Sequence, residues 1–380
     1  MLAGTRTDDR YCAATAVVIF EGAVMPGTRA RRIGVAMAGA LAVVLAGCGQ
    51  TAAPATPTHV VTDATGAQVT VPVTVNRIAD AWPAHNEVVQ MLGSGDKIVA
   101  TVLKRDAAPW LYVVQPALAN AQTTFTNSTV STEQLVQTRP DVLFTDKSTQ
   151  IASKAGELGI PTVQLGFQTY PDLKTMVTGT ADVLGGDART QAQAYNDYLD
   201  QALSTVTART RDLPEAKRPS VLHVYSLNPL VVDGTGSIID EWIKAAGGRN
   251  AADVKGNVKP VSVEQVARWN PDVVILANSA FVANDTGAQT VATLRADPFW
   301  STLPAVAQGR TVVNPTGGWH WDRYGIESAL QLRWAAKTLH PELFGDVDMV
   351  AETRGFYGRF LHHPLTDAEA RQMLDARDPG

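Results

Sequence analysis

The chain has 380 residues, of which 45% are hydrophobic and 18% charged, and a formal net charge of -5. That length holds two or more domains, and the composition is that of a globular protein. The acidic balance argues against a general nucleic-acid binder, which carries a basic surface, and without long runs of like charge electrostatics names no partner.

The amino terminus carries the most specific signal. Arg29, Arg31 and Arg32 form a basic start, Ile33 to Val44 is apolar and small, and Leu45-Ala46-Gly47-Cys48 follows. The apolar run is short for a membrane span, so residues 1–47 read as a signal peptide. Asp8, Asp9 and Glu21 stand ahead of the basic start, where such a signal has no use for acids, so Met25 is the expected start. Small residues before a cysteine resemble a lipobox, the bacterial lipoprotein cleavage signal. That resemblance implies cleavage before Cys48 and a diacylglyceryl group on its sulfur. Acyl chains contribute about 0.8 kcal/mol per buried methylene, so several of them hold a protein on a membrane. The other cysteine, Cys12, precedes Met25. A mature chain without it has no disulfide and no cysteine-ligated metal. Residues 48–58, rich in Ala, Pro and Thr, read as a flexible tether from the anchor.

Order is expected from His59. Val60 to Val71 reads as a hairpin turning at Gly66. Arg77 to Trp82 is a predicted strand. Asn86 to Leu92 is a predicted helix, with the asparagine as cap and Gly93 as stop. Ile98 to Leu103 is a strand, Glu133 to Thr138 a short helix, Val142 to Thr145 a strand, Ser148 to Leu158 a helix and Thr162 to Leu165 a strand. From Asp187 to Leu213 one long helix is predicted. Asp187 is placed to cap it, Tyr195, Tyr198, Leu199, Ala202, Leu203 and Val206 recur at three- and four-residue spacing, and Pro214 ends it.

The second half repeats the order. Strands are predicted at Val221 to Tyr225, Val273 to Ala277 and Thr311 to Asn314. Helices are predicted at Ile238 to Ala246, after Ser262, at Gly325 to Leu339, near Asp346 to Phe360 and at Asp367 to Leu374. Strands alternating with helices predict largely parallel sheets covered on both faces. The fold class is therefore α/β, with two lobes bridged by one helix: 59–186, the linker 187–213, and 214–380.

One phrase is written twice. Ser131-Thr132-Glu133-Gln134-Leu135 precedes Pro140-Asp141-Val142-Leu143, and Ser262-Val263-Glu264-Gln265-Val266 precedes Pro271-Asp272-Val273-Val274. Six of these thirteen positions are identical at one offset. Locally, Ser-x-x-Gln is a capping box, and the glutamate inside it sits in the first turn, where the helix dipole favours a negative charge. Pro-Asp then ends the helix and launches a buried strand.

Lipobox, tether, hairpin, doubled phrase and a single mid-chain helix, in that order, resemble the ABC-transporter substrate-binding proteins for vitamin B12, ferric siderophores and haem. Asp297-Pro298-Phe299-Trp300, Leu303-Pro304-Ala305-Val306 and Gly309-Arg310 resemble a stretch of the same family. The likeness runs from His59 to the end. It implies a receptor rather than an enzyme, a companion permease with its ATPase, and no cofactor. It also implies that one glutamate per lobe, Glu133 and Glu264, docks onto arginines of the permease. A monomer is expected.

Ligands of open α/β sheets bind beyond the carboxyl ends of the strands. The strands of the first lobe deliver Trp82 and His85 there, and Lys104 and Arg105, with Trp110 and Tyr112 close behind. The second lobe delivers Tyr225 and the cluster Trp319-His320-Trp321-Asp322-Arg323-Tyr324. A loop so aromatic is either a plug beneath the following helix or a binding surface, and a mixed role is expected. Aromatic rings with Lys104, Arg105 and Arg323 suit a flat or chelated anionic ligand. The expected ligand is an iron-siderophore or a similar metal chelate such as haem or a corrinoid. Molybdate or tungstate is the alternative, since some relatives with a similar tryptophan-rich loop handle them. His85, His223 and His320 would suit bare zinc or manganese by residue type, but their spacing is not diagnostic and no metal site is assigned. No Walker A loop, Gly-x-Ser-x-Gly elbow or His-Glu-x-x-His occurs, and Gly93-Ser94-Gly95 follows a predicted helix rather than a strand, so catalytic motifs give no support to an enzyme.

Overall fold

The computed structural model describes residues 56–126, 129–147, 149–280, 286–323 and 325–380. The segment expected to be a signal peptide, with Met25, as well as Cys48, most of the expected tether and Tyr324, lie outside the described residues. The fold is α/β, with two lobes. The first sheet has five parallel strands in the spatial order Gln122–Thr123, Ile98–Thr101, Ile78–Asp80, Val142–Asp146, Thr162–Leu165. The second runs Lys259–Pro260, Leu230–Val232, Ser220–Leu227, Val273–Leu276, Thr311–Val313, with Arg249–Asn250 beside Ser220–Leu227. It is parallel except at one edge, where Leu230–Val232 folds back antiparallel and Lys259–Pro260 pairs with it. Thr58–Thr62 and Gln68–Pro72 form the expected antiparallel hairpin.

The central strands carry unbroken buried apolar runs, Val142-Leu143-Phe144 and Val273-Val274-Ile275-Leu276. That is the pattern of sheets covered on both faces. The doubled phrase performs one structural job in both lobes. The Asp141 carboxylate accepts from the Asn76 and Arg77 amides at 2.8 and 2.9 Å, and Asp272 accepts from the Ser220 amide at 2.7 Å. Each aspartate thereby pins the start of its own strand to the start of the strand beside it. The helices preceding them, Thr132–Thr138 and Val263–Trp269, both end on a residue in the left-handed conformation, Arg139 and Asn270. The full capping box forms only in the second copy, between Ser262 and Gln265; Ser131 makes no capping hydrogen bond.

The interlobe helix spans Ala188–Thr210. Its buried face, Ala188, Ala192, Tyr195, Leu199, Ala202 and Val206, repeats at alternating four- and three-residue steps. Burying Leu199 or Val206 stabilises by about 1.5–3 kcal/mol each. Tyr195 donates a 2.8 Å hydrogen bond to the Ile326 carbonyl and so ties the helix to the second lobe. Two capping expectations are corrected. Asp187 makes no side-chain cap, and the helix His85–Met91 starts before Asn86. Asn86 is buried inside that helix, donating to the Trp82 carbonyl at 2.9 Å and accepting from Thr101 at 2.8 Å. Helices Pro109–Val114, Tyr170–Leu184 and Gly287–Ala296 have no counterpart in the sequence reading. Tyr170–Leu184 contains Thr175, Thr178, Gly179 and Thr180, all poor helix formers. Packing of Leu173, Met176, Val177 and Ala181 into the core overrides that weakness.

Candidate functional site

In both sheets the chain builds first to one side of a central strand and then to the other. In the first lobe the reversal falls between Ile78–Asp80 and Val142–Asp146, and in the second between Ser220–Leu227 and Val273–Leu276. A crevice opens beyond the carboxyl ends of strands at such a reversal. Residues at or just beyond the carboxyl ends of those four strands line one cavity of 350 Å³: Ala81, Trp82 and Pro83, then Asp146, with Tyr225, Ala277, Asn278 and Ser279 from the second lobe. Trp319, His320, Asp322 and Arg323 complete it. Two further cavities adjoin. One of 460 Å³ shares Trp82 and Asp146 and runs along Lys147, Phe167 and Gln168; one of 520 Å³ shares Asn278, Trp319 and His320.

Under the cleft lies a closed ring of charge. His223 approaches Asp233 through Nδ1 at 2.9 Å and Asp322 through Nε2 at 3.0 Å. Arg323 pairs with Asp233 and stands 3.6 Å from Asp322. His223, Asp233 and Asp322 are almost wholly buried, and Arg323 nearly so. Burial pushes the His223 pKa down, but two flanking carboxylates outweigh it and the net shift is upward. Burial likewise opposes ionisation of Asp233 and Asp322, and the cationic partners prevail, so both pKa values are lowered. When His223 is protonated, two carboxylates, one guanidinium and one imidazolium sum to zero. The Arg323 guanidinium also covers the Tyr225 ring at 4.7 Å from its centroid. Arg323 therefore presents an edge to the cavity from a fixed position, at a cost in free charge. His320, whose pKa burial lowers, presents a neutral imidazole.

The other sequence candidates lie elsewhere. His85 is wholly buried, with Nδ1 2.8 Å from Asp80 and Nε2 2.9 Å from Thr180. Trp321 is also wholly buried and donates to Glu327 at 3.1 Å. Tyr112 donates to the Leu103 carbonyl at 3.0 Å, and Arg105 covers its ring. Lys104 and Arg105 are exposed and do not line the cavity. Trp110 lines the 520 Å³ cavity and donates to the Arg377 carbonyl at 2.8 Å. The three histidines considered for a bare metal do not converge, and no group of three metal-ligating side chains occurs among the described residues. Glu133 and Glu264 are both exposed in the first turn of their helices. A hydrogen bond from Ser262 holds the Glu264 pKa low.

Sequence reading missed Asp146, Asn278, Ser279 and the buried acid Asp233, and it gave Asp322 no role of its own within the cluster. A signal for the first three was present. They end or follow the strands launched by the two Pro-Asp-Val phrases, so the repeat itself marks both walls of the cleft.

A two-lobed α/β frame whose two switch points open onto one cavity is the frame of a solute receptor. The chain belongs to the periplasmic binding protein family, whose model matches residues 79–316. It is 24% identical over 335 residues to the molybdate-binding protein MolA of Haemophilus influenzae, covering 80% of this chain and 90% of that protein. A periplasmic solute binding protein from Veillonella parvula superposes with a TM-score of 0.73 at 28% identity, over 84% of this chain and 97% of the other. MolA bound to molybdate superposes with a TM-score of 0.71 at 21% identity, over 81% and 99%. Such receptors work with a permease, outside the cytoplasm. Among the described residues no helix is long and apolar enough to cross a membrane.

Proposed function

We propose that this chain is the lipid-anchored receptor of an ABC importer for a compact anionic solute, an oxyanion of the molybdate kind. The cavity of 350 Å³ between Arg323, His320 and the rings of Trp82, Tyr225 and Trp319 carries this reading. It is near the small end of ligand pockets, which run from about 300 to 1,000 Å³. Arg323 and the amide group of Asn278 supply donors, and the neutral imidazole of His320 adds one more; the Ser279 hydroxyl is committed to the Tyr225 carbonyl at 2.6 Å. Similarity to MolA supports the same ligand class. A second reading, an iron-siderophore or related chelate such as haem or a corrinoid, draws support from the adjoining 460 Å³ cavity, which would extend the site past Trp82. Calorimetric titration with molybdate and tungstate, set against ferric siderophores, haem and cobalamin, separates the two. Saturable binding of the oxyanions alone is expected; tight binding of a chelate without oxyanion binding would reject the first reading.

Anchoring is assigned to Cys48 and docking to Glu133 and Glu264. Cys48→Ala is expected to move the protein from the membrane fraction to the soluble one, or to leave it unprocessed; retention of labelled fatty acid would count against the lipobox. Glu133→Arg and Glu264→Arg are expected to slow uptake while leaving solute affinity unchanged. Rim charges mostly set association rate and register. The double reversal should be worse than either single, and uptake at the wild-type rate by the double variant would leave these residues a capping role only.

A further inference from the structure

Beneath the loop that carries Trp319 and His320, two carboxyl groups from opposite lobes meet. Glu87 comes from the helix His85–Met91 of the first lobe, and Glu327 immediately precedes the helix Ser328–Leu339 of the second. Both are wholly buried. Their surroundings differ sharply. Glu327 accepts from the Gly318 amide at 3.1 Å, the Trp319 amide at 3.0 Å, the Trp321 indole at 3.1 Å and the Tyr357 hydroxyl. Glu87 has no hydrogen-bond partner for either oxygen; the Ile326 amide approaches it without a well-aligned bond. The Glu87 carboxyl is wedged between two glycines of the loop. A Cβ at Gly318 would stand 2.5 Å from one of its oxygens, and a Cβ at Gly325 would stand 3.2 Å from the other.

A buried carboxylate with no donor is costly, and two ionised carboxylates side by side are costlier. A single proton removes both penalties. The member rich in donors is suited to ionisation, and the member without donors is suited to carry the proton. We propose that Glu87 is a carboxylic acid donating its proton to Glu327, and that this contact is the positioning link through which the first lobe holds the Trp319–His320 wall of the cleft, making cleft geometry depend on external pH.

Burial and the adjacent Glu327 push the Glu87 pKa well up, and burial raises Glu327 to about 7. The other titratable groups facing the pair are phenols. Tyr195 faces it from the interlobe helix, with Tyr170 and Tyr198 behind, and Tyr357 faces it from the helix Met349–Phe360. Burial raises all four, so they stay neutral through this range. His85, on the same helix as Glu87, is occupied by Asp80 and Thr180. For an acid whose pKa is raised on folding, the native state binds more protons, so stability is greatest below the unfolded pKa and falls as pH rises to the folded one. The window here runs upward from the ordinary glutamate value through about 7. His223, also raised, adds a decline of the same sign. The informative quantity is therefore the difference between wild type and variant.

Thermal unfolding of the ligand-free protein is measured against pH for wild type, Glu87→Gln and Glu327→Gln. Glu87→Gln keeps a neutral donor toward Glu327. Its melting temperature should lose less than wild type's between about pH 5 and pH 8, a difference of about 2 °C or more. Glu327→Gln turns an amide group toward donors and should be destabilised at every pH. Parallel curves for wild type and Glu87→Gln, or equal tolerance of both substitutions, would overturn the proposal. Infrared spectra of wild type with labelled glutamate give an arm that needs no variant. A protonated glutamate carboxyl should persist near pH 8, where exposed carboxyls are ionised, and its absence would also overturn the proposal. Molybdate titration reads the positioning role: wild-type affinity should hold through about pH 8, where the shared proton persists, and weaken above it as the proton is lost, while Glu87→Gln stays flat over that higher interval; equal pH dependence there would reject that role. The proposal takes its ligand readout from the function proposed above. The melting and infrared arms use no ligand, so failure of molybdate to bind is distinguishable from failure of the proton link.

Discussion

Arg323→Ala is expected to lower the unfolding free energy by about 3–5 kcal/mol, the cost of removing one partner from a buried ion pair. The reason is the ring beneath the cleft. Asp233 and Asp322 are buried at 0% and 1% exposure and would keep only His223 as a cation. The loss should show in urea unfolding of the ligand-free protein, before any solute is added. Asp233→Asn combined with Arg323→Met removes both charges of the closest pair and should recover part of the stability, because no buried charge is left without its partner. A ligand-only role for Arg323 predicts the reverse: unchanged unfolding with affinity lost. Unfolding of Arg323→Ala at the wild-type urea midpoint would therefore refute the structural half of this account.

The second large effect separates two tryptophans that stand two positions apart. Trp321→Ala should cost about 3–5 kcal/mol of stability, the range for truncating a large buried aromatic side chain. Trp321 is wholly buried and its indole donates to Glu327. Truncation therefore opens a cavity and removes one of the donors that hold the loop. Trp319 is half-buried and lines the cleft. Trp319→Ala should leave the melting temperature near wild type and weaken solute binding through lost contact area. The test is a melting curve and a molybdate titration for each variant. If the tryptophans exchange behaviour, the loop faces the other way.

In this aromatic cluster Trp321 is buried and Trp319 lines the cavity, and the placement of each ring was not readable from the chain. Side chains in a loop have no helical or strand period to fix their direction. Which ring turns inward depends on Glu327 and Tyr357, six and thirty-six positions beyond Trp321, and on Glu87 from the other lobe. His85 illustrates the same gap. Its position after a strand end suggested the cleft, but Asp80 and Thr180 capture both of its ring nitrogens. Thr180 belongs to the helix Tyr170–Leu184, whose weak helix formers concealed it.

Arg323 shows where charge reasoning stops. As a residue type it signalled anion binding, and it does reach the cavity. Its two carboxylate partners reduce the charge it offers, and one of them, Asp233, is ninety positions away. No local pattern connects the two.

What the chain determined by itself was the alternation of its main strands and helices, the two similar halves and the single helix between them. These rest on periods of two and of three to four residues, on prolines and glycines, and on a phrase written twice, all legible within a few positions. The tertiary structure alone decided which side chains face the cleft, which charges are already paired, and that two acids from different lobes meet beneath the ligand wall. Those outcomes depend on contacts between residues far apart in sequence, formed only when both sheets and the interlobe helix have packed, so no local reading contains them.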